Sequence, residues 1–578
     1  MRVLFLIHGF NALSQRLLVE VEAMGHEVSI EYDINDSNTI SAIDLFNPDV
    51  ILAPYLKRAI PQIIWAKYLC LIVHPGPVGD RGPSAIDWAI LNNEKNWGVT
   101  VLQAEKQMDA GAVWDTQVFA MPKATKSGIY RNEVTKAAVT AVRNCFDILA
   151  KTGAKAKKAG DQGDDQGENQ SGGAVGHFQP ATKQSDRKIC WQNDNTETIL
   201  KKIRSADGVP GLCDEMFDEE MFLYDARIAD GLSGRAGDVI AISGPAICRA
   251  TSDGALWIGH LRNRNGPHPF KLPAISVLGE KIDGLPQIPV DTANGYREID
   301  YHEDGETGHI RFNFYNGAMS TRQCQRLLQV YKKALQQNTK TIILHGGNDF
   351  WSNGMHLNVI EASPSPADES WRNINAIDDL AEAIIRSQSH ITIAAMHGNA
   401  GAGGVFLARA CDYVWVREDV ILNPHYKDMG NLYGSEFWTY LLPRYAGEQN
   451  AKNISEQRLP MGAGQAVDLG LADACFGDSH STFDQQLRQK AKQLSDQRVF
   501  DQIIQTKRQQ RAADEQQKPL VEYRREELQQ MKQNFFGFDP SYHVARYNFV
   551  HKVAKSRTPI TLARHRDQRV RSCGRKVS

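Results

Sequence analysis

The first residues with the chemistry to move a proton are His74 and Asp109. In residues 71–115 (LIVHPGPVGDRGPSAIDWAILNNEKNWGVTVLQAEKQMDAGAVWD) an apolar run ends at His74. A loop holding Pro75, Gly76, Gly79, Gly82 and Pro83 follows, and a helix begins near Ser84. A second strand over 99–103 leads to Met108-Asp109-Ala110-Gly111. A histidine at the carboxyl end of a strand sits where open α/β sheets place ligands. An aspartate on a neighbouring strand-end loop fixes its tautomer or raises its pKa. Acyl transfer needs such a pair: the attacking group loses a proton and the tetrahedral intermediate carries an oxyanion. The same two residues also read as a strand-end cap and a turn cap.

A second constellation lies downstream. Residues 342–358 (IILHGGNDFWSNGMHLN) and 391–416 (ITIAAMHGNAGAGGVFLARACDYVWV) each read as a strand, a Gly-rich turn and a helix start. Two such turns present convergent backbone N–H groups, which suit a developing thioester oxyanion. Taken singly, each is also an ordinary tight turn, and Gly401–Gly404 fits a dinucleotide fingerprint poorly. Residues 423–443 (NPHYKDMGNLYGSEFWTYLLP) add Tyr426 and Glu436. A tyrosine donates a hydrogen bond, and a glutamate in an apolar wall becomes a tuned acid or base. The alternative is a core tyrosine and a helix-capping glutamate.

The elements that must position these groups follow from periodicity. Within 1–150, short apolar runs at 3–7, 27–32, 49–53 and 70–73 alternate with helical segments such as 14–23, which predicts a parallel α/β sheet. Residues 151–187 collapse to Gly, Asp, Gln and Lys and read as a disordered linker. Residues 188–290 hold a helix and then short strands with Gly-rich turns, the pattern of a small β-barrel. A second α/β unit occupies 291–505, and 506–578 reads as polar helices with an Arg-rich tail from 557 that lacks a core. The 578 residues are enough for three to four domains at roughly 150 residues each. A net charge of -2 argues against a nucleic-acid surface spread over the protein, and no stretch approaches the ~20 apolar residues of a membrane span. Nine cysteines without a C-x-x-C pair read as reduced thiols of a cytoplasmic protein, and no metal site is expected.

The first string resembles the methionyl-tRNA and glycinamide-ribonucleotide formyltransferases, through His74, Arg81-Gly82, Gly98-Val99-Thr100 and Asp109-Ala110-Gly111. The resemblance covers about 1–290, with the barrel matching the OB-like tail of that family. It implies a folate slot over 55–61 (YLKRAIP), from Tyr55 to Pro61, beside Arg81 and Gly82. The family asparagine two residues before the histidine is Ile72 here. Gln15 and Arg131 are candidates to replace its donor, although Gln15 also reads as a helix-surface residue and Arg131 as a partner of Glu133. The loss suggests an acceptor other than an ordinary amine.

The second constellation resembles the crotonase (enoyl-CoA hydratase/isomerase) superfamily over 298–505. That resemblance implies an α/β spiral fold and makes the N–H groups of Met355 and Gly403 the oxyanion donors. The two hydratase glutamates fall at Phe406 and about His425, so water addition is not expected. The order of the two modules, with HPGPVGDRGPSAIDWAI, YGSEFWTYLLP and SYHVARYNFVHK, resembles the HypX/HoxX family of NiFe-hydrogenase maturation proteins along nearly the whole chain. This implies an α/β multidomain enzyme that uses 10-formyl-tetrahydrofolate and coenzyme A. It would pass the formyl group to the thiol and release CO from formyl-CoA as an iron ligand. Gln15, Arg131 and Arg546 are the candidate coenzyme A contacts, Arg546 reading equally as a surface ion pair. Expected partners are small molecules and other hydrogenase maturation proteins, with no nucleic acid and no membrane. The alternatives are formyl transfer to an amine or sugar beside an inactive crotonase-like dimerisation domain, and a non-enzymatic scaffold.

Overall fold

The computed structural model describes residues 1–152, 176–456 and 458–567. Two compact units emerge. One is built from Met1–Asn265, Pro273–Pro286 and the segment from Ala554, the other from Gly266–Leu272 and Gln287–Val553.

The sheet that opens the first unit runs in the order Glu27–Tyr32, Arg2–Ile7, Val50–Ala53, Cys70–His74, Asn96–Gln103 and Val113–Ala120. Its first four strands are parallel and the last two antiparallel. Val3, Leu4, Phe5 and Ile51 are fully buried, as expected for parallel strands covered on both faces. Asn11 accepts the Ser14 N–H at 3.0 Å and so starts the helix Ala12–Ala23. The sheet places His74 opposite Thr100, at a strand end.

Two expectations of disorder need correction. Residues 153–175 of the expected linker lie outside the described residues, but 176–187 are packed on the loop after His74. The Gly176 N–H donates to Val78 O at 3.0 Å, Gln179 N–H to Arg81 O at 2.9 Å, and the Trp88 indole to Pro180 O at 2.8 Å. Arg187 is buried against Asp87. Gly79 and Gly82 have φ of +89° and +120°, and a Cβ on Gly82 would overlap Gln179 O, so these glycines admit the second backbone. Composition misled because backbone pairing and a few polar anchors hold this stretch, not a core of its own.

The basic tail is the second. Residues 568–578 lie outside the described residues, but Thr558–Arg566 docks on Glu27–Tyr32. Ile30 N–H donates to Leu562 O at 3.0 Å, and Leu562 and Ala563 are buried. The buried Glu31 carboxylate accepts from Thr558 (2.8 Å), His565 (3.0 Å) and Arg566 (3.0 Å). A buried carboxylate requires such partners.

Further along the same unit, Leu212–Met216, Glu219–Ile228, Ala255–Asn263, Ala246–Ala250 and Val239–Ser243 pair antiparallel in that spatial order. The helix Thr196–Arg204 seals one face through Ile199, Leu200 and Ile203. Among the described residues no pairing joins the first strand of this order to the last, so the sheet is curved but not a closed barrel.

The second unit has two sheets. The larger runs Ile299–Asp304, Thr307–Phe312, Thr341–His345, Ile391–Met396, Tyr413–Val416 and Ala474–Cys475. The smaller runs Phe350–Ser352, Asn399–Gly401, Ile421–Asn423 and Met461–Gly462. The polar helices expected after 502 are Gln497–Gln517 and Leu520–Phe536. The second is not merely solvated: Leu520, Glu527, Met531 and Phe535 are buried.

Burial alone would raise the Glu31 carboxyl, but hydrogen bonds from His565, Arg566 and Thr558 hold it below the usual carboxylate range. An acid with a lowered folded pKa stabilises above its unfolded pKa and loses that contribution as pH falls through the folded value. Glu31→Gln is therefore expected to cost about 3 kcal/mol at neutral pH, as for breaking a buried pair. The cost should shrink as pH falls below the carboxylate range. Urea unfolding of both proteins at pH 7 and pH 3.5 checks this, and a pH-independent difference would contradict it.

Candidate functional site

In the first unit the structure brings His74 and Asp109 together. The buried His74 has Nδ1 3.7 Å from Asp109 Oδ1, inside ion-pair range but beyond a hydrogen bond. Its close partner is a residue that sequence reasoning did not single out: His74 Nε2 lies 2.8 Å from Asp80 Oδ2. The histidine is thus held between two carboxylates, which fixes the orientation of its ring.

The loop makes this possible. A Cβ on Gly76 would overlap the Asp80 carboxylate and sit 2.6 Å from His74 Nε2, so only glycine leaves room for the hydrogen bond. Thr100 Oγ1 donates to Gly76 O at 2.8 Å, and the Trp97 indole donates to Pro75 O at 2.9 Å. Asp109, at φ +53°, accepts the Gly82 N–H at 3.3 Å and so ties the two loops together. Asp80 Oδ1 is buried without a hydrogen-bond partner, an acceptor open to a proton-bearing ligand. A Gly-Pro loop that returns six residues later to its own histidine was the available signal.

The other residues expected in this unit have mixed surroundings. Tyr55 accepts the His8 N–H on its carbonyl at 2.8 Å, with its ring edge-on to His8. Pro61 opens the short helix Gln62–Trp65. Arg81 forms a backbone bridge to Phe178, and Ile72 packs against a hydrophobic cluster and supplies no donor. Gln15 donates to Phe10 O at 3.1 Å. Arg131 lies in a π-helical turn, Tyr130–Val134, a local geometry frequent at functional sites. Arg546, in the second unit, is neither a free phosphate-seeking cation nor a surface pair. It is buried, with Nε 2.7 Å from Glu361 and Nη1 2.7 Å from His543.

In the second unit, parallel pairing of Phe350–Ser352 with Asn399–Gly401 sets the two Gly-rich turns side by side. A Cβ on Gly354 would lie 3.6 Å from the Gly403 nitrogen. Neither the Met355 nor the Gly403 N–H donates a hydrogen bond within the described residues. A Cβ on Gly403 would overlap the Glu436 carboxyl, so glycine here lets that acid approach the amide. Glu436 Oε2 accepts from Tyr426 Oη at 2.7 Å, and Tyr426 stacks on Phe406, ring centroids 5.7 Å apart. Phe406 thus fills a hydratase glutamate position with an apolar wall.

Two further buried acids, Asp378 and Glu527, complete this centre; both lie on helices whose polar faces concealed them in the sequence. Ser435 Oγ donates to Asp378 at 2.8 Å and to Glu527 at 3.2 Å, its single proton serving whichever acceptor it faces. Asp378 Oδ1 accepts the Glu436 N–H at 2.9 Å, and Glu527 accepts the N–H groups of Phe437 (2.9 Å) and Thr439 (2.8 Å). Glu436 and Phe437 both have φ of +61°. Such backbone costs about 1–3 kcal/mol per residue and persists only where surrounding bonds dictate it. Burial, then repulsion from Asp378, raises Glu436 to about 8 and Glu527 to about 8, while burial raises Asp378 to about 7. Burial followed by the charge of Glu436 pushes Tyr426 well above the usual phenol range. Glu436 is therefore a protonated acid near neutral pH, poised to exchange its proton.

The chain matches the enoyl-CoA hydratase/isomerase family over residues 310–549 and the formyl transferase C-terminal domain over 182–268. It is 51% identical over 580 residues to the hydrogenase maturation factor HoxX of Bradyrhizobium diazoefficiens, with 100% of both chains covered. It is 45% identical to HypX from Aquifex aeolicus in a crystal structure with tetrahydrofolic acid, at a TM-score of 0.93 over 98% of this chain and 99% of that one. It is also 25% identical to a methionyl-tRNA formyltransferase from Sulfurovum sp., across 42% of this chain and 75% of that protein.

An acid whose folded pKa is raised destabilises progressively as pH climbs from its unfolded to its folded value. Glu436→Gln should therefore gain stability relative to the parent between pH 5 and pH 8, with a limiting slope of roughly 1.4 kcal/mol per pH unit. Thermal unfolding across that window measures it. A stability difference that does not change with pH would show that Glu436 ionises normally.

Proposed function

Because the chain belongs to the HypX/HoxX family of hydrogenase maturation factors, we propose that it makes CO from a folate-borne formyl group in two steps. In the first, the coenzyme A thiol attacks the formyl carbon of 10-formyl-tetrahydrofolate. A C–S bond forms, the C–N bond breaks, and formyl-CoA and tetrahydrofolate result. His74, set between Asp80 and Asp109, takes the thiol proton and returns one to the folate nitrogen. Tyr55, Pro61, Arg81 and Gly82 border the folate slot in this reading, and Gln15 and Arg131 supply polar contacts for the coenzyme. The tetrahydrofolate bound by the Aquifex relative supports the donor. Arg546, beside Glu361 and His543, is a further candidate contact for the coenzyme.

In the second step the formyl C–H proton leaves, the C–S bond breaks, and the thiolate recovers a proton, giving CO and coenzyme A without a net redox change. The N–H groups of Met355 and Gly403 hold the thioester oxygen. Tyr426 and Glu436 manage the proton. The single observation that carries this step is a fully buried carboxyl in hydrogen-bond contact with a tyrosine, set against Gly403. The missing hydratase glutamate at Phe406 fits a site that excludes water. Hydrogenase maturation proteins would receive the CO. The absence of any paired cysteine among the described residues suits the reducing cytoplasm.

Purified protein with 10-formyl-tetrahydrofolate and coenzyme A should turn haemoglobin to its CO form. His74→Ala and Asp80→Asn are each expected to slow formyl transfer by about 10²–10⁴. Tyr426→Phe and Glu436→Gln should abolish CO while leaving formyl-CoA to accumulate. Folate turnover without CO in the parent protein would leave formyl transfer to another acceptor as the better reading.

A further inference from the structure

The larger sheet of the second unit carries a row of histidines on the face opposite Glu436. His309, His345 and His397 alternate with Ile343, Ile393 and Ala395, which pack against the helix His480–Leu494. The Glu436 side of the same strands presents Ile310, Leu344 and Met396. His309 Nδ1 is 2.9 Å from His345 Nε2. His345 Nδ1 faces His397 Nε2 at 3.4 Å, and His397 Nε2 faces Asp484 Oδ1 at 3.4 Å. The three ligand-type atoms lie within 4.8 Å of one another.

From this geometry we infer that His345, His397 and Asp484 form a site for one divalent transition-metal ion of the imidazole-preferring class, such as zinc. Separations of 3.4 Å are long for a hydrogen bond. They match the edge of a tetrahedron with metal–ligand bonds of about 2.0–2.1 Å, which is about 3.4 Å. His397 Nε2 faces both His345 Nδ1 and Asp484 Oδ1, so three ligand-type atoms converge on one point that a cation can occupy. The hydrogen bond from His345 to His309 supplies the outer support that orients a metal-bound imidazole. Asp484 is 34% exposed, which gives an entry path and leaves the fourth position to water. His480 stacks on His397 at 5.8 Å and closes one side. Two imidazole nitrogens and one carboxylate oxygen suit zinc-like ions, whereas magnesium prefers an all-oxygen shell. Such an ion would pin the helix His480–Leu494 to the sheet behind the candidate acid centre.

Full-length protein stripped with a chelator and titrated with zinc chloride, calorimetrically and against a chromophoric competitor, tests the site. One equivalent should bind, cobalt should give the intense visible bands of four-coordinate geometry, and magnesium should give no heat. Asp484→Asn, at a partly exposed position that folding tolerates, should weaken zinc at least tenfold. His397→Gln should do the same if its circular dichroism matches the parent. Absence of a saturable equivalent, equal binding of magnesium, or Asp484→Asn binding zinc like the parent would each overturn the site. The histidines would then be a hydrogen-bonded row in the core.

Discussion

A charged group cannot be taken out of water without compensation, and three carboxyls in the second unit are taken out completely. Asp378, Glu436 and Glu527 share one buried space, with the Ser435 hydroxyl and further backbone and hydroxyl donors between them. Burial, joined at Glu436 and Glu527 by repulsion from Asp378, favours protons over charges. The same bonds force Glu436 and Phe437 into left-handed backbone, which aims the glutamate at Tyr426 and Gly403. The strain, the protonation state and the position of the acid are therefore one arrangement with one cause. Helices far apart in sequence, Pro366–Ile385 and Leu520–Phe536, must both be in place before Glu436 can occupy its position.

The first unit solves a related problem with glycine. His74 is buried, and its partner Asp80 comes from the loop that immediately follows it. That loop must turn within six residues and bring a carboxylate onto the imidazole. Gly76 supplies the space, while Gly79 and Gly82 supply positive φ and room for residues 176–179. The hydrogen bonds from Thr100 and Trp97 then hold the loop against the neighbouring strand. The two sites share a design in which a missing Cβ lets a side chain approach backbone or imidazole more closely than any other residue would allow.

The departures from the two parent families become intelligible together. A hydratase needs acids that activate water, and here Phe406 stacks on Tyr426 where one of them would be. An amine-directed formyltransferase uses an asparagine that this chain replaces with Ile72, packed in a hydrophobic cluster. In its place a second carboxylate, Asp80, engages the histidine.

Much of this was legible in the residues alone. Apolar periodicity located the strands that end at His74 and His345, because buried strands leave local repeats, and polar composition marked the helices after 506. The Gly-rich turns marked Gly354 and Gly403 for the same reason: positive φ or a close approach demands glycine at that position. Local pattern could not reveal which distant groups converge. Asp378 and Glu527 carry no local signal of burial, Arg546 reads equally as a coenzyme contact or a surface ion pair, and 176–187 and 557–567 read as disorder. Each owes its burial to a partner from 57 to more than 500 residues away, such as Ser435 for Asp378 and Glu31 for His565. Sequence by itself determined the elements and the glycines, since their causes lie within a few residues. Only the tertiary structure decided which acids are buried, protonated and aimed, because desolvation is a property of the surroundings and not of the residue.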